Sequence, residues 1–129
     1  MQGLPRHFHR EARVLDAAGL HSWALLADAD VTMLRTLARQ SLASEARLLR
    51  LQAQARLIVD LELPAEAAAL LLHGGIPDAA SLAAADPDDL LRRLQRLERS
   101  LLQGQARLNP LDLHRWISRA RRHSGRSRN

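Results

Sequence analysis

VLDAAGLHSWALLADADVTMLRTLARQ, residues 14–40, aligns without a gap on residues 70–96, LLLHGGIPDAASLAAADPDDLLRRLQR, at a constant register shift of 56. The identities are Leu15/Leu71, Gly19/Gly75, Ala24/Ala80, Leu26/Leu82, Ala27/Ala83, Ala29/Ala85, Asp30/Asp86 and Leu34/Leu90. The chain reads as two copies of one small helical unit, and such self-similarity is a statement about architecture before it is one about function.

The surrounding composition agrees. The chain has 129 residues, the size of one domain or of two small units sharing a core. Its hydrophobic content of 47% is mostly Leu and Ala, which favour helix. The aromatics are Phe8, Trp23 and Trp116, and no alternating run rich in Val, Ile or Thr reads as a strand. The expected fold is all-α, with tandem units forming one compact helical domain: 1–59 as the first, 60–122 as the second, and 123–129 as a disordered basic tail.

Helix signals give the elements. Pro5 opens a first helix to about residue 18, closed by Gly19. Ser22 caps a short helix over 23–27, Asp30 caps 31–39, and Ser41 or Ser44 starts a longer helix to about 59. In the second copy Pro64 opens 65–73, Gly74-Gly75 end it, and Asp78 caps 79–84. Asp86-Pro87-Asp88-Asp89 joins a cap, a proline at the first helical position and acids against the helix dipole. The helix that follows sets Leu90, Leu94, Leu97 and Leu101 on one face and Arg92, Arg96, Arg99 and Gln103 on the other, and Gly104 breaks it. Asn109-Pro110 opens a last helix to about Arg122.

Cysteine is absent, which excludes disulfides, thiolate catalysis and Cys-based zinc sites and fits a reducing, cytoplasmic setting. The first residues, MQGLPRHFHR, carry no apolar signal core, and the longest apolar run, 67–72, is too short to span a bilayer. All 19 basic residues are Arg, so no side chain titrates between His and Arg, and a net charge of +5 produces a pI of 11.4. An Arg-only basic set with abundant Ala and Leu also fits a GC-rich bacterial genome.

Charge is banded. Residues 1–112 hold 13 Arg against 14 acids, whereas 113–129 hold six Arg and no acid. Within the body, 31–59 carries five Arg and Glu45, and 60–91 carries seven acids and no Arg.

The succession of apolar helix, Gly–apolar pair, cap, short Leu-Ala helix, Asp-Pro and Leu resembles the helix-hairpin-helix superfamily. More closely, it resembles the small bacterial family called domain of unknown function 4332. Leu70, Leu71, Gly75, Ile76, Leu82, Ala83, Asp86, Pro87 and Leu90 carry the likeness in the second copy. Leu15, Gly19, Leu20, Leu26, Ala27, Asp30 and Leu34 carry it in the first, which lacks the Asp-Pro. Asn109-Pro110, Trp116-Ile117 and Ala120 fit the family's ending, and the likeness covers about residues 4–121. It implies nucleic-acid binding of the kind in which a Leu-Pro-Gly-Ile-Gly-type turn lets backbone N–H groups approach a phosphate. The corresponding stretches here, Gly3-Leu4-Pro5-Arg6-His7 and Glu62-Leu63-Pro64-Ala65-Glu66, lack Gly-x-Gly, and the second sets two carboxylates where phosphate would sit. Arg6, His7, His9, Arg10 and Arg13 are the substitutes at the first.

No catalytic constellation is legible. Asp28, Asp30, Asp86, Asp88 and Asp89 read as caps and dipole partners rather than metal ligands. His7 and His9 diverge on a helix, no HExxH, P-loop or dinucleotide fingerprint occurs, and the serines have no elbow motif. The expectation is a non-enzymatic protein without metal or cofactor. Trp23 and Trp116 sit at helical spacing among apolar neighbours and read as core.

The Arg sets remain. Arg35 and Arg39 share a helix face, as do Arg47 and Arg50. Arg92, Arg96 and Arg99 form one ridge; Arg115, Arg119 and Arg122, with Arg121, form another ahead of Arg126 and Arg128. Arg forks onto phosphates bidentately, and equally onto an acidic protein face; the plain alternative is a solvated surface. The leading expectation is sequence-nonspecific binding of the nucleic-acid backbone by the ridges and the basic C-terminus. The alternative is a protein-interaction or assembly adaptor pairing the acidic 60–91 band with basic patches, in head-to-tail homo-oligomers or on an acidic partner. A membrane-surface role for 111–122 ranks last, its apolar face being short.

Overall fold

The structure, a computed structural model, describes residues 4, 8–101 and 108–127. Within them the chain is all-helical: α1 (His9–Ala17), α2 (Trp23–Asp28), α3 (Val31–Gln40), α4 (Glu45–Leu61), α5 (Ala65–His73), α6 (Ala79–Ala84), α7 (Pro87–Leu101) and α8 (Pro110–Ser127).

Six of the eight starts carry a side-chain cap; α1, which follows Phe8, and α5, which follows Pro64, have none. The Ser22, Ser44 and Asp78 side chains accept from the N–H of Leu25, Arg47 and Ser81, and Asp30 and Asp86 accept from Thr32 and Asp88. The asparagine before Pro110 does the same, taking the Leu111 N–H at 2.9 Å. The aspartates thus perform the capping work their positions imply. Ser41 turns back onto the Leu37 carbonyl at 2.6 Å and ends α3, leaving Ser44 as the cap of α4.

The two aligned stretches share their helix-end and cap bonds. α1 and α5 both stop at a glycine in the left-handed region, Gly19 at φ 86° and Gly75 at φ 87°. In both, the next amide closes on the carbonyl five residues back, Leu20 to Leu15 at 2.8 Å and Ile76 to Leu71 at 2.9 Å. That position favours glycine because a Cβ crowds the carbonyl at such φ. Leu15/Leu71, Leu26/Leu82 and Leu34/Leu90 are all buried. α4 and α8 match too, at a shift of 65: Ser44/Asn109 are caps, Leu48/Leu113 and Ala55/Ala120 are buried, and Arg56/Arg121 each reach an earlier helix end.

Two apolar cores result. One gathers Leu15, Leu20, Leu26, Leu34, Leu48, Leu51 and Ala55, with Leu4, Phe8 and Trp23 packed against it. The other gathers Leu57, Leu61, Leu63, Leu71, Ile76, Leu82, Leu90, Leu94, Leu113 and Ile117, with Trp116 against it. Both tryptophans are half-buried and pack against these cores rather than within them. Each fully buried Leu contributes about 1.5–3 kcal/mol relative to exposure. The long helix α4 belongs to both cores, its first half to one and Leu57 and Leu61 to the other, so the 59/60 division falls inside a helix.

Two buried amides stitch the helices. Gln52 Nε2 donates to the carbonyls of Leu26 at 3.2 Å and Ala29 at 2.7 Å, and Gln54 Nε2 donates to Ala65 at 2.9 Å. Most buried polar groups in proteins are paired in this way.

The last helix departs from expectation. It continues to Ser127, through five residues of the segment read as a disordered tail. No proline interrupts it, and Gly125 costs about 1 kcal/mol relative to Ala, which a helix already nucleated upstream tolerates. The expected roles of Pro5, Gly104 and Arg128 lie outside the described residues.

Candidate functional site

α8 is set by what precedes it. Glu98, only 7% exposed, accepts the Leu108 N–H at 2.8 Å, and the asparagine cap then starts the helix. Leu113, Ile117 and Ala120 face inward and fix the rotation of the helix. That rotation turns Leu111, His114, Arg115, Ser118, Arg119 and Arg122 along one side, where they line an open groove of about 500 Å³. Leu111 is the exposed apolar member.

The arginines of this face differ in what they touch. Arg119 Nη1 donates to the Leu61 and Glu62 carbonyls at 3.0 and 3.3 Å. It thereby closes the carbonyl end of α4, the negative pole of that helix. Arg121 Nε donates to Ala83 at 3.3 Å and does the same for α6, as Arg56 Nε does for α2 through Ala27 at 3.4 Å. Arg115 pairs with Asp112 one turn back at 3.7 Å, an exposed contact worth little by itself. Arg122 is exposed and borders both this groove and a smaller one of about 210 Å³ formed with Asp60, Leu61, Glu62, Arg119 and His123. There His123 Nε2 lies 3.8 Å from Asp60. Arg126 continues the helical backbone at the next position of the stripe.

The α7 ridge stands apart from this groove. Arg92 pairs with Asp89 one turn earlier, Arg96 is exposed, and Arg99 lies on the described helix backbone. Arg93, absent from the expected set, donates to the Gly74 carbonyl at 2.9 Å and holds the end of α5. So the structure brings Arg115, Arg119 and Arg122 together, with Arg121 turned to α6 and the α7 set elsewhere. His114 and Ser118 join the groove; Ser118 lies one turn from Arg115 and from Arg122, and His114 one turn before Ser118, which was the available signal.

The hairpin turns offer less. Between α4 and α5, Glu62 takes the left-handed conformation at φ 55°, Leu63 is buried, and Glu66 sits in the first turn of α5. Two carboxylates flank that helix start, so a phosphate there meets repulsion. Near α1, Arg10 and Arg13 are exposed. Buried Glu11 lies 3.9 Å from Arg47, whose guanidinium stacks 5.2 Å from the Phe8 ring centre. Burial, then the Arg50 guanidinium, lowers the His73 pKa from 6.5; Arg50 Nη2 lies 3.4 Å from its Nδ1. Among the described residues no group of three His, Asp or Glu converges on a point that would hold a metal, and no helix is long and apolar enough to cross a membrane.

Neither a curated protein nor a solved structure matches this chain. A family model described as "Domain of unknown function (DUF4332)" matches residues 5–123, nearly all of the helical body, and the chain belongs to that family.

Proposed function

We propose that the chain is a non-enzymatic, cytoplasmic binding module of bacterial type. In this reading it is built from two degenerate helix-hairpin-helix-like units, and it holds the nucleic-acid phosphate backbone without reading bases. The observation that carries the reading is the outward stripe of α8. Arg115, Arg119 and Arg122 line one open groove with His114 and Ser118, in a segment, 113–129, that holds six Arg and no acid. Arginine in a water-accessible groove suits phosphate because its planar fork makes two charge-assisted hydrogen bonds at once. Arg96 and Arg99 on α7, with Arg92, would add secondary contacts. Arg121 contributes chiefly by holding α6, and Arg126 and Arg128 extend the basic segment.

Fluorescence anisotropy of a labelled generic duplex and of a single strand, with nuclease-treated protein across a salt series, tests the reading. The expected result is weak binding to both, falling linearly in log–log form with salt at a slope of about −0.9 per phosphate contact on duplex. Absence of binding at low salt refutes it.

One observation favours the adaptor reading. Asp60 and Glu62 share the smaller groove with Arg119, Arg122 and His123, so acidic and basic groups already meet at the surface. A complementary protein face would extend that pattern. Salt-sensitive self-association in sedimentation, with no anisotropy change on nucleic acid, would select it.

A further inference from the structure

The register shared by α4 and α8 assigns a role to the second half of α8. On α4 the stripe Arg50, Gln54, Leu57, Leu61 runs at the spacing of one helix face. Its lower half is a plug: Leu57 and Leu61 are each 1% exposed and fill the core formed by α5, α6, α7 and α8. Gln54 adds the hydrogen bond to the first turn of α5. Moving 65 residues along gives the stripe Arg115, Arg119, Arg122, Arg126 on α8. The upper part keeps the α4 plan, with Leu113 and Ala120 buried where Leu48 and Ala55 are. The plug positions do not: Leu57 becomes Arg122, Ile58 becomes His123 and Leu61 becomes Arg126. Guanidinium groups cannot fill an apolar core, because burying an unpaired charge costs far more than the contacts return.

The geometry points to this plug half of α8, centred on Arg122 and Arg126, as the principal phosphate-backbone contact of the protein. This rests on the nucleic-acid reading above and deepens it. α8 keeps the helix that α4 uses to dock a following unit, while its docking residues have become an anion-binding stripe. From Arg115 to Arg126 the stripe runs about 16 Å at 1.5 Å per residue. At about 3.4 Å of axial rise per nucleotide, that spans about five phosphates of one strand. Arg119, held on the α4 carbonyls, fixes the middle of the stripe rather than adding a mobile charge. His123 is drawn toward Asp60 and leaves the contact to the arginines.

The test compares three double variants of the full chain on one short labelled duplex across a salt series. Each has its helicity checked by circular dichroism. Arg122→Glu with Arg126→Glu reverses the stripe, and Arg122→Gln with Arg126→Gln removes its charge without setting new carboxylates beside Asp60 and Glu62. Met33→Glu with Gln40→Glu makes the net-charge change of the glutamine pair on exposed positions of α3 that no binding contact uses. The expected result is at least a tenfold loss of affinity for both α8 variants, a salt slope shallower by about 1.8 for two lost contacts, and a much smaller loss for the control. Wild-type affinity in the α8 variants, or an equal loss in the control, overturns this assignment while leaving phosphate binding itself standing. No binding by the unmodified chain overturns both.

Discussion

Gly74 tests how tightly the second core is closed. It sits at the end of α5 at φ −81°, a conformation any residue adopts, so Gly74→Ala carries no backbone strain. A Cβ built there lies 2.6 Å from Leu94 Cδ2, and Leu94 is wholly buried. Carbon atoms pack at about 3.5–4.0 Å, so the leucine must retreat by about 1 Å into a filled core. Overpacking of this kind costs about 1–3 kcal/mol. Replacing glycine also removes unfolded-state freedom, which returns about 0.4–1 kcal/mol. The expected net loss is about 1–2 kcal/mol, read as a lower urea midpoint in Trp23 and Trp116 fluorescence at unchanged m. A cycle with Leu94→Ala isolates the cause. That change alone leaves a cavity worth about 2–5 kcal/mol. In the double variant the new methyl enters the vacated space, so the losses should fall short of additivity by about 1–2 kcal/mol. A neutral or stabilising Gly74→Ala, or strict additivity, would refute the packing argument. Gly19→Ala is the contrast: nothing lies within 4 Å of its Cβ, and its φ of 86° alone should cost about 1 kcal/mol, with no dependence on Leu94.

Three further outcomes follow from named contacts. Ser22→Ala and Asp78→Ala remove equivalent caps and should each lower stability by about 1 kcal/mol in thermal unfolding, with additive effects because they serve different cores. Gln52→Ala takes the donor from the Ala29 carbonyl, while the Leu26 carbonyl keeps the Ala29 N–H, and should cost about 1–3 kcal/mol in chemical denaturation. His73 has its pKa lowered by burial and then by Arg50, so the unfolded chain binds its proton more readily. Its stabilising contribution is present above pH 6.5 and is lost as pH falls through the folded value. His73 is exposed overall, so the effect is small. His73→Gln should reduce the stability difference between pH 7 and pH 5, and an unchanged difference would contradict this.

Much of the fold was legible along the chain because its signals are local. Gly19 and Gly75 mark helix ends that need a left-handed residue, and Ser22, Asp30, Asp78 and Asp86 mark starts that need an acceptor three residues ahead of a free amide or nearer. The leucine spacing on α7 identified Leu90 and Leu94 as core. Local signals failed at the far end of α8, where an Arg-rich stretch read as a tail continues as helix, since charge alone does not stop hydrogen-bond propagation.

The site was legible only in part. Spacing placed Arg115, Arg119 and Arg122 on one face, yet could not say that Arg119 reaches Leu61 and Glu62, 58 and 57 residues away, or that Arg121 reaches Ala83. Nor did it show that Gln52 and Gln54 lie inside, because a buried amide is marked by its distant carbonyl partners rather than by its neighbours in sequence. The sequence by itself determined the helices, their caps and the positive balance of residues 113–129, all consequences of contacts within a few residues. Only the tertiary structure decided which arginines are occupied by helix ends and which line an open groove, since that depends on how α8 is rotated against α4 and α6 by Leu113, Ile117 and Ala120.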